Sequence, residues 1–127
     1  MTNESIKRAL VVDDIPVNSK LAVALLAKLG WEAASVGGGV SALDWLASHP
    51  PVDLVLLDIS MPDLNGEEVC RRLRADPDFA GLAIVAYTAH ALSADVQRFL
   101  AHGFDGVLLK PVSLQGLRDV IAALERR

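Results

Sequence analysis

Leu54-Val55-Leu56-Leu57-Asp58 is the stretch on which the fold turns. Four aliphatic residues follow one another without polar alternation, and a carboxylate ends the run. A strand with one wet face alternates apolar and polar side chains. A strand that is apolar on both faces belongs inside a parallel sheet covered by helices on both sides. Pro50-Pro51 close the helical pattern before this run, and a loop carrying Pro62 and Gly66 follows it.

Working upstream, Trp31 to Val36 reads as a strand, ended by Gly37-Gly38-Gly39. Val40, Leu43, Leu46 and Ala47 then recur at helical spacing. Ala9-Leu10-Val11-Val12 is another β-type run, stopped by Asp13-Asp14. Pro16 fits the first turn of a helix, where its missing N–H leaves no bond unmade. Leu21, Leu25, Leu26 and Leu29 continue that helix, and Gly30 stops it. Downstream, a helix is expected over about Glu67 to Ala75. Its glutamates lie at the start and Arg71, Arg72 and Arg74 near the end, which complements the helix dipole. Ala83 to Tyr87 forms a strand, Ser93 to Ala101 a helix, and Val107-Leu108-Leu109 a fifth strand. Leu114, Leu117, Ile121 and Leu124 place one apolar stripe on a last helix. The expectation is an α/β chain: a flavodoxin-like (βα)5 doubly wound parallel sheet with strand order 2-1-3-4-5.

Composition bounds the function. The 127 residues amount to one ordinary domain, long enough to bury a core without metal or disulfide staples. Hydrophobic residues at 52% against 22% charged exclude a disordered chain, and 5% aromatic residues require an aliphatic core. A net charge of −4 argues against nucleic acid as a partner, since such binders carry a basic surplus. Cys70 is the only cysteine, so no internal disulfide can form, and it has no zinc spacing. The start, Met1-Thr2-Asn3-Glu4-Ser5, is polar, and no run approaches the length of a membrane span. A cytoplasmic domain with no membrane contact is expected.

The chemistry falls where the strands end. In sheets of this kind ligands bind beyond the carboxyl ends of the strands, at the switch between strands 1 and 3. There the sequence places Asp13-Asp14, Asp58, Thr88 and Lys110-Pro111. Three carboxylates repel one another unless cations sit among them, and Lys110 brings only one charge. Hard oxygen ligands at this density suit Mg²⁺, which takes few protein carboxylates and keeps waters. Beside an ammonium and a hydroxyl, such a site suits a phosphoryl group. A carboxylate there can be the nucleophile that forms an aspartyl phosphate, and Asp58 is the best placed.

These residues, with Asp58-Ile59-Ser60-Met61-Pro62-Asp63-Leu64-Asn65-Gly66 read as D-x-x-M-P-x-x-x-G, resemble the receiver domain of two-component response regulators. The resemblance covers the chain from Ala9 to the last helix. It implies that Asp58 accepts a phosphoryl group from a phosphohistidine on a sensor histidine kinase or histidine phosphotransfer protein. It implies Mg²⁺ held by Asp14, Asp58 and the backbone carbonyl of Ser60, with Asp13 acting mostly through water. It implies that Lys110 bridges to Asp58 and the phosphoryl group, and that Thr88, followed by Ala89, moves toward that group. The runs Asp13-Asp14-Ile15-Pro16-Val17-Asn18 and Tyr87-Thr88-Ala89-His90-Ala91 are most similar to receivers of hybrid kinases and phosphorelays. The implied downstream partner surface is the face of helix 4, strand 5 and helix 5. Such a domain switches itself and turns over no external substrate. It would fill residues 1–127 and leave none for an output domain, whether the protein is a single-domain regulator or a receiver from a longer hybrid.

One position departs from the family. Many receivers carry an aromatic residue three positions before the lysine, whereas this chain has Val107, with Phe104 farther back. Smaller side-chain changes on phosphorylation are expected there. Ser60 and His90 occupy variable positions that help set the rate of water attack in the family.

The same residues admit other readings. Asp13-Asp14 alone fits a turn and helix cap. Gly37-Gly38-Gly39-Val40-Ser41-Ala42 matches G-x-G-x-x-A, but it follows the second strand, and the carboxylates after the first would repel a pyrophosphate. It reads as a plain turn. An Mg²⁺-dependent aspartyl-phosphate phosphohydrolase would carry a second Asp two residues after the nucleophile, where this chain has Ser60. A constitutive binding-only receiver would not need the full acidic and lysine set. His49, His90 and His102 lack metal spacing and read as surface residues. Cys70, Trp31 and Trp45 read as packing residues.

Overall fold

The computed structural model describes residues 7–89 and 92–126. Five strands alternate with five helices: β1 (Arg8–Val12), α1 (Pro16–Lys28), β2 (Glu32–Val36), α2 (Gly39–Ser48), β3 (Leu54–Asp58), α3 (Gly66–Arg74), β4 (Ala83–Thr88), α4 (Ser93–Ala101), β5 (Gly106–Leu109) and α5 (Leu114–Glu125). A short 3₁₀ turn, Pro77–Phe79, follows α3. The strands are all parallel, in the order β2-β1-β3-β4-β5.

The period of two along each strand explains the layers. Leu10 and Val12 of β1, Val55 and Leu57 of β3, and Ile84 and Ala86 of β4 face α2, α3 and α4. Ala9 and Val11, Leu54 and Leu56, and Val85 and Tyr87 face α1 and α5. Leu54, Val55, Leu56 and Leu57 are all fully buried, as their unalternated run requires. Each such side chain contributes roughly 1.5–3 kcal/mol by leaving water. On the last helix, Leu117 and Ile121 are buried, flanked by the partly buried Leu124.

Two helix faces keep Leu26 and Leu46 from the expected stripes and differ in the rest. In α1 the buried positions are Ser19, Ala22 and Leu26, while Leu21 is exposed. Small residues let α1 sit close to the sheet, and the Ser19 hydroxyl stays satisfied by donating to the Pro16 carbonyl at 3.1 Å. In α2, Ala42 and Leu46 are buried, whereas Val40 and Ala47 are exposed. Both faces follow the 3.6-residue period, each shared between one leucine and smaller residues.

Gly30 ends α1 as expected. It has φ of +88°, its N–H donates to Ala27, and Trp31 N–H donates to Leu26. That pair of bonds is a Schellman ending, which favours glycine at the left-handed position. Trp31 and Trp45 are partly buried against the two core layers.

Candidate functional site

The carboxyl ends of β1, β3, β4 and β5 bring the acidic and basic residues together. Asp13 directly follows β1, and its N–H extends the sheet by donating to Val36 at 3.2 Å. Asp13 is 2% exposed. Its Oδ1 accepts from Ile15 N–H at 2.9 Å, a side-chain turn that feeds the chain into α1. Its Oδ2 is buried and meets Lys110 Nζ at 2.8 Å as an ion pair. Asp14 is exposed at the mouth of the site.

Asp58 ends β3 and is 4% exposed. Its Oδ1 accepts from Ser60 N–H at 3.3 Å and lies 3.3 Å from Lys110 Nζ. Burial pushes the Asp58 pKa above its ordinary value. Lys110 opposes that rise, the Asp13 charge adds to it, and the bonds from Lys110 and Ser60 again oppose it. Lys110 also stands 4.9 Å from the centre of the buried Tyr87 ring, a cation–π contact. Burial is likewise the main reason the Tyr87 hydroxyl is pushed up to about 12.

Thr88 is buried at the end of β4, one residue past Tyr87, the register partner of Asp58. Its carbonyl accepts from Lys110 N–H at 2.8 Å, so the backbone joins the threonine and lysine segments. Ala89 is exposed beside it. The Lys110–Pro111 peptide is cis. His90 and Ala91 lie outside the described residues.

Asp13, Asp14 and Asp58 each offer an oxygen within 4.8 Å of the other two. This is an all-oxygen donor set of two buried carboxylates and one exposed, and such a set fits Mg²⁺. Among the described residues no other His, Cys, Asp or Glu group comes together in this way. A cavity of about 500 Å³ lined by Leu46, Val52 and Phe79 lies at the opposite end of the strands and holds none of these carboxylates.

Val107 is partly buried against the layer that contains α2, α3 and α4. Phe104 packs edge-on against Phe99, with centroids 5.7 Å apart, before β5 begins. Asp105 N–H bonds to Ile84 near the start of β4, so this aromatic pair sits by the end of β4 remote from Thr88. His49 and His102 are exposed, although His49 stacks on Trp45 at 4.0 Å. Cys70 is buried.

The chain is thus a parallel five-stranded α/β domain with an acid pair, a central aspartate and a lysine gathered at one rim. Residues 9–122 match the family model described as response regulator receiver domain, and the chain belongs to that family. It is 38% identical over 120 residues to the sensor histidine kinase RcsC of Salmonella typhi, covering 93% of this chain and 12% of that protein. The chain thus spans about an eighth of such sensor kinases. It is 33% identical to the polar-differentiation response regulator DivK of Brucella ovis, covering 91% of this chain and 93% of DivK. The receiver domain of sensor histidine kinase PA1611 from Pseudomonas aeruginosa PAO1, with magnesium coordinated in its active-site cleft, superposes with a TM-score of 0.80. The two are 31% identical over 92% of this chain and 95% of that one. The domain is a response regulator receiver of two-component phosphorelay signalling.

Sequence reasoning passed over Asp63, whose carboxylate accepts from Gly39 and Val40 N–H at 3.2 and 3.1 Å. The available signal was a helix start at Gly38-Gly39 with no local Ser, Thr, Asp or Asn to cap it.

Proposed function

We propose that Asp58 accepts a phosphoryl group from a phosphohistidine on a sensor histidine kinase or histidine phosphotransfer protein. The observation that carries this is the placement of buried Asp58, 3.3 Å from Lys110 and within 4.8 Å of two further carboxylates. Asp13, Asp14, Asp58 and the Ser60 carbonyl are the residues that would hold Mg²⁺. When bound, the ion supplies positive charge that balances the carboxylates and the phosphoryl oxygens.

In this reading an Asp58 carboxylate oxygen attacks phosphorus, a P–O bond forms, and the P–N bond to the donor imidazole breaks with its electrons returning to nitrogen. Lys110, paired with Asp13 beforehand, then turns its charge to the new phosphoryl oxygens. Thr88 and the Ala89 segment supply hydrogen bonds to that group. Water later attacks phosphorus and releases phosphate, so the domain resets itself as a switch and processes no external substrate. The face of α4, β5 and α5 would pass the signal to a protein partner; Leu100 and Leu109 are exposed there. Val107 leaves the response to smaller side-chain movements than an aromatic swing. A cytoplasmic setting belongs to the same proposal. Among the described residues, no helix is long and apolar enough to cross a membrane.

The test is incubation with acetyl phosphate and Mg²⁺. One base-labile phosphoryl group per chain is expected, absent in Asp58→Asn. No labelling would favour a binding-only receiver, and rapid multiple turnover of a phosphate ester would favour a phosphohydrolase.

A further inference from the structure

We infer that Asp63 is a positioning residue, one that clamps the loop of residues 59–65 onto the N-terminus of α2 and thereby sets the Ser60 segment beside Asp58. The inference rests on the reading of Asp58 as phosphoacceptor.

The argument starts from α2. Its N-cap is Gly38, which has no side chain to satisfy the first-turn N–H groups. Those of Gly39 and Val40 donate instead to the two oxygens of Asp63, one to each, at 3.2 and 3.1 Å. A carboxylate is also favoured there by the helix dipole. The cap is borrowed from another element, 23 and 24 residues along the chain.

The glycines are shaped for this contact. A Cβ on Gly39 would stand 2.6 Å from the Leu64 carbonyl oxygen and 2.9 Å from Leu64 Cβ. A Cβ on Gly38 would stand 2.9 Å from Asp63 Oδ2. Gly37-Gly38-Gly39 therefore does more than turn the chain: its second and third residues leave the space in which the loop is seated.

The loop is also closed at its base. Gly66 N–H donates to Ile59 at 2.9 Å, and a Cβ on Gly66 would stand 2.3 Å from the Asp58 carbonyl oxygen. Met61 is buried in the core. Between these anchors lies Ser60, whose N–H holds Asp58 Oδ1. With Asp63 released, the outer arm of the loop loses its tie to α2, and Ser60 is held only by the Ile59–Gly66 bond and the packing of Met61. A ligand group that must be ordered on binding weakens binding.

A purely structural cap predicts something different, and two variants separate the cases. Asp63→Ala removes both the cap and the clamp. Gly38→Ser combined with Asp63→Ala returns a local cap to α2, in space the carboxylate has vacated, without retying the loop. Expected for Asp63→Ala are lower stability, about tenfold weaker Mg²⁺ binding by calorimetry, and faster amide exchange at Ser60 and Met61 without metal. The double variant should regain thermal stability while Mg²⁺ affinity stays low and loop exchange stays fast. Recovery of affinity and exchange together with stability would overturn the positioning role. Failure of the acceptor reading shows separately, as no phosphoryl label on Asp58 in the wild type. Loop exchange, measured without metal or phosphodonor, still decides whether Asp63 is the clamp.

Discussion

Lys110 Nζ and Asp13 Oδ2 form an ion pair of 2.8 Å, tighter than the 3.3 Å between the same ammonium and Asp58. Asp58 thus shares a cation already committed to a neighbour, and burial still holds its pKa above the ordinary value. Lys110→Met should destabilise the Mg²⁺-free domain by about 2–3 kcal/mol at pH 7, because it leaves buried carboxylates unbalanced. Much of that loss should return at pH 5, where a carboxylate can take up a proton, and on adding Mg²⁺. Urea titrations at both pH values measure it. Equal losses at both would show that the ammonium does not balance the site.

Asp58 itself gives a second prediction. Burial, only partly offset by Lys110, raises its folded pKa above the ordinary 3.8. The folded state therefore holds this proton more tightly than the unfolded chain. That contribution to stability is complete below the unfolded value and is lost as pH rises through the folded one. Asp58→Asn should flatten this part of the profile and make the Mg²⁺-free domain more stable than wild type at pH 7. Denaturation curves between about pH 3 and 8 provide the comparison. A parallel fall in both proteins would assign the slope to other groups.

How much of this the sequence shows depends on the kind of residue. Leu54 to Leu57 disclosed a central parallel strand because burial on two faces leaves no room for alternation. Asp13, Asp58 and Lys110 were legible because the topology sends every strand end to one rim. The faces of α1 and α2 were legible only in part, through Leu26 and Leu46, because Ser19, Ala22 and Ala42 pack by being small, which hydrophobic counting overlooks. Asp63 was not legible, since its partners are backbone N–H groups on a helix far away in sequence. Only the folded arrangement reveals that relationship.

Arg74 carries a third prediction. From α3 it donates to the Gly103 carbonyl at 2.8 Å, the Leu82 carbonyl at 2.7 Å and Asp105 Oδ2 at 2.7 Å. Asp105 Oδ2 also accepts from Ile84 N–H at the start of β4. Arg74→Ala should cost about 2–3 kcal/mol, because charge-assisted bonds are lost together and carbonyls lose their donor. Asp105→Ala in both backgrounds gives the coupling by a double-mutant cycle. A coupling near zero would mean that the carbonyl bonds, not the carboxylate, hold Arg74.

Cys70 should be inert in the folded domain. Burial pushes its thiol up to about 11, and its Sγ lies 3.8 Å from the His102 carbonyl. The nucleophile is the thiolate, which is scarce at pH 8 with such a pKa. A thiol reagent at that pH should label Cys70 only as fast as the chain opens, and at once in denaturant. Rapid labelling of the native protein would contradict its burial.

Glu67 ties α3 to α4 directly beside the acceptor loop. Its Oε2 accepts from Arg98 Nε at 3.2 Å and stands 3.2 Å from His102 Nδ1. The preceding residue, Gly66, abuts the Asp58 carbonyl. Both partners of Glu67 are exposed, so Glu67→Ala should lower global stability by no more than about 1 kcal/mol. The effect on α4 should be larger than that figure suggests. Arg98 keeps its bond to Asp95 and its place over the Phe99 ring, both within the same helix, so α4 loses a cross-link to the rest of the domain. Amide exchange across residues 96–102 should accelerate, while β3 and β4 exchange in step with the small global change. Uniform acceleration through the sheet would instead make Glu67 part of the cooperative core, and unchanged exchange in α4 would show that Phe99 packing alone holds the helix in place.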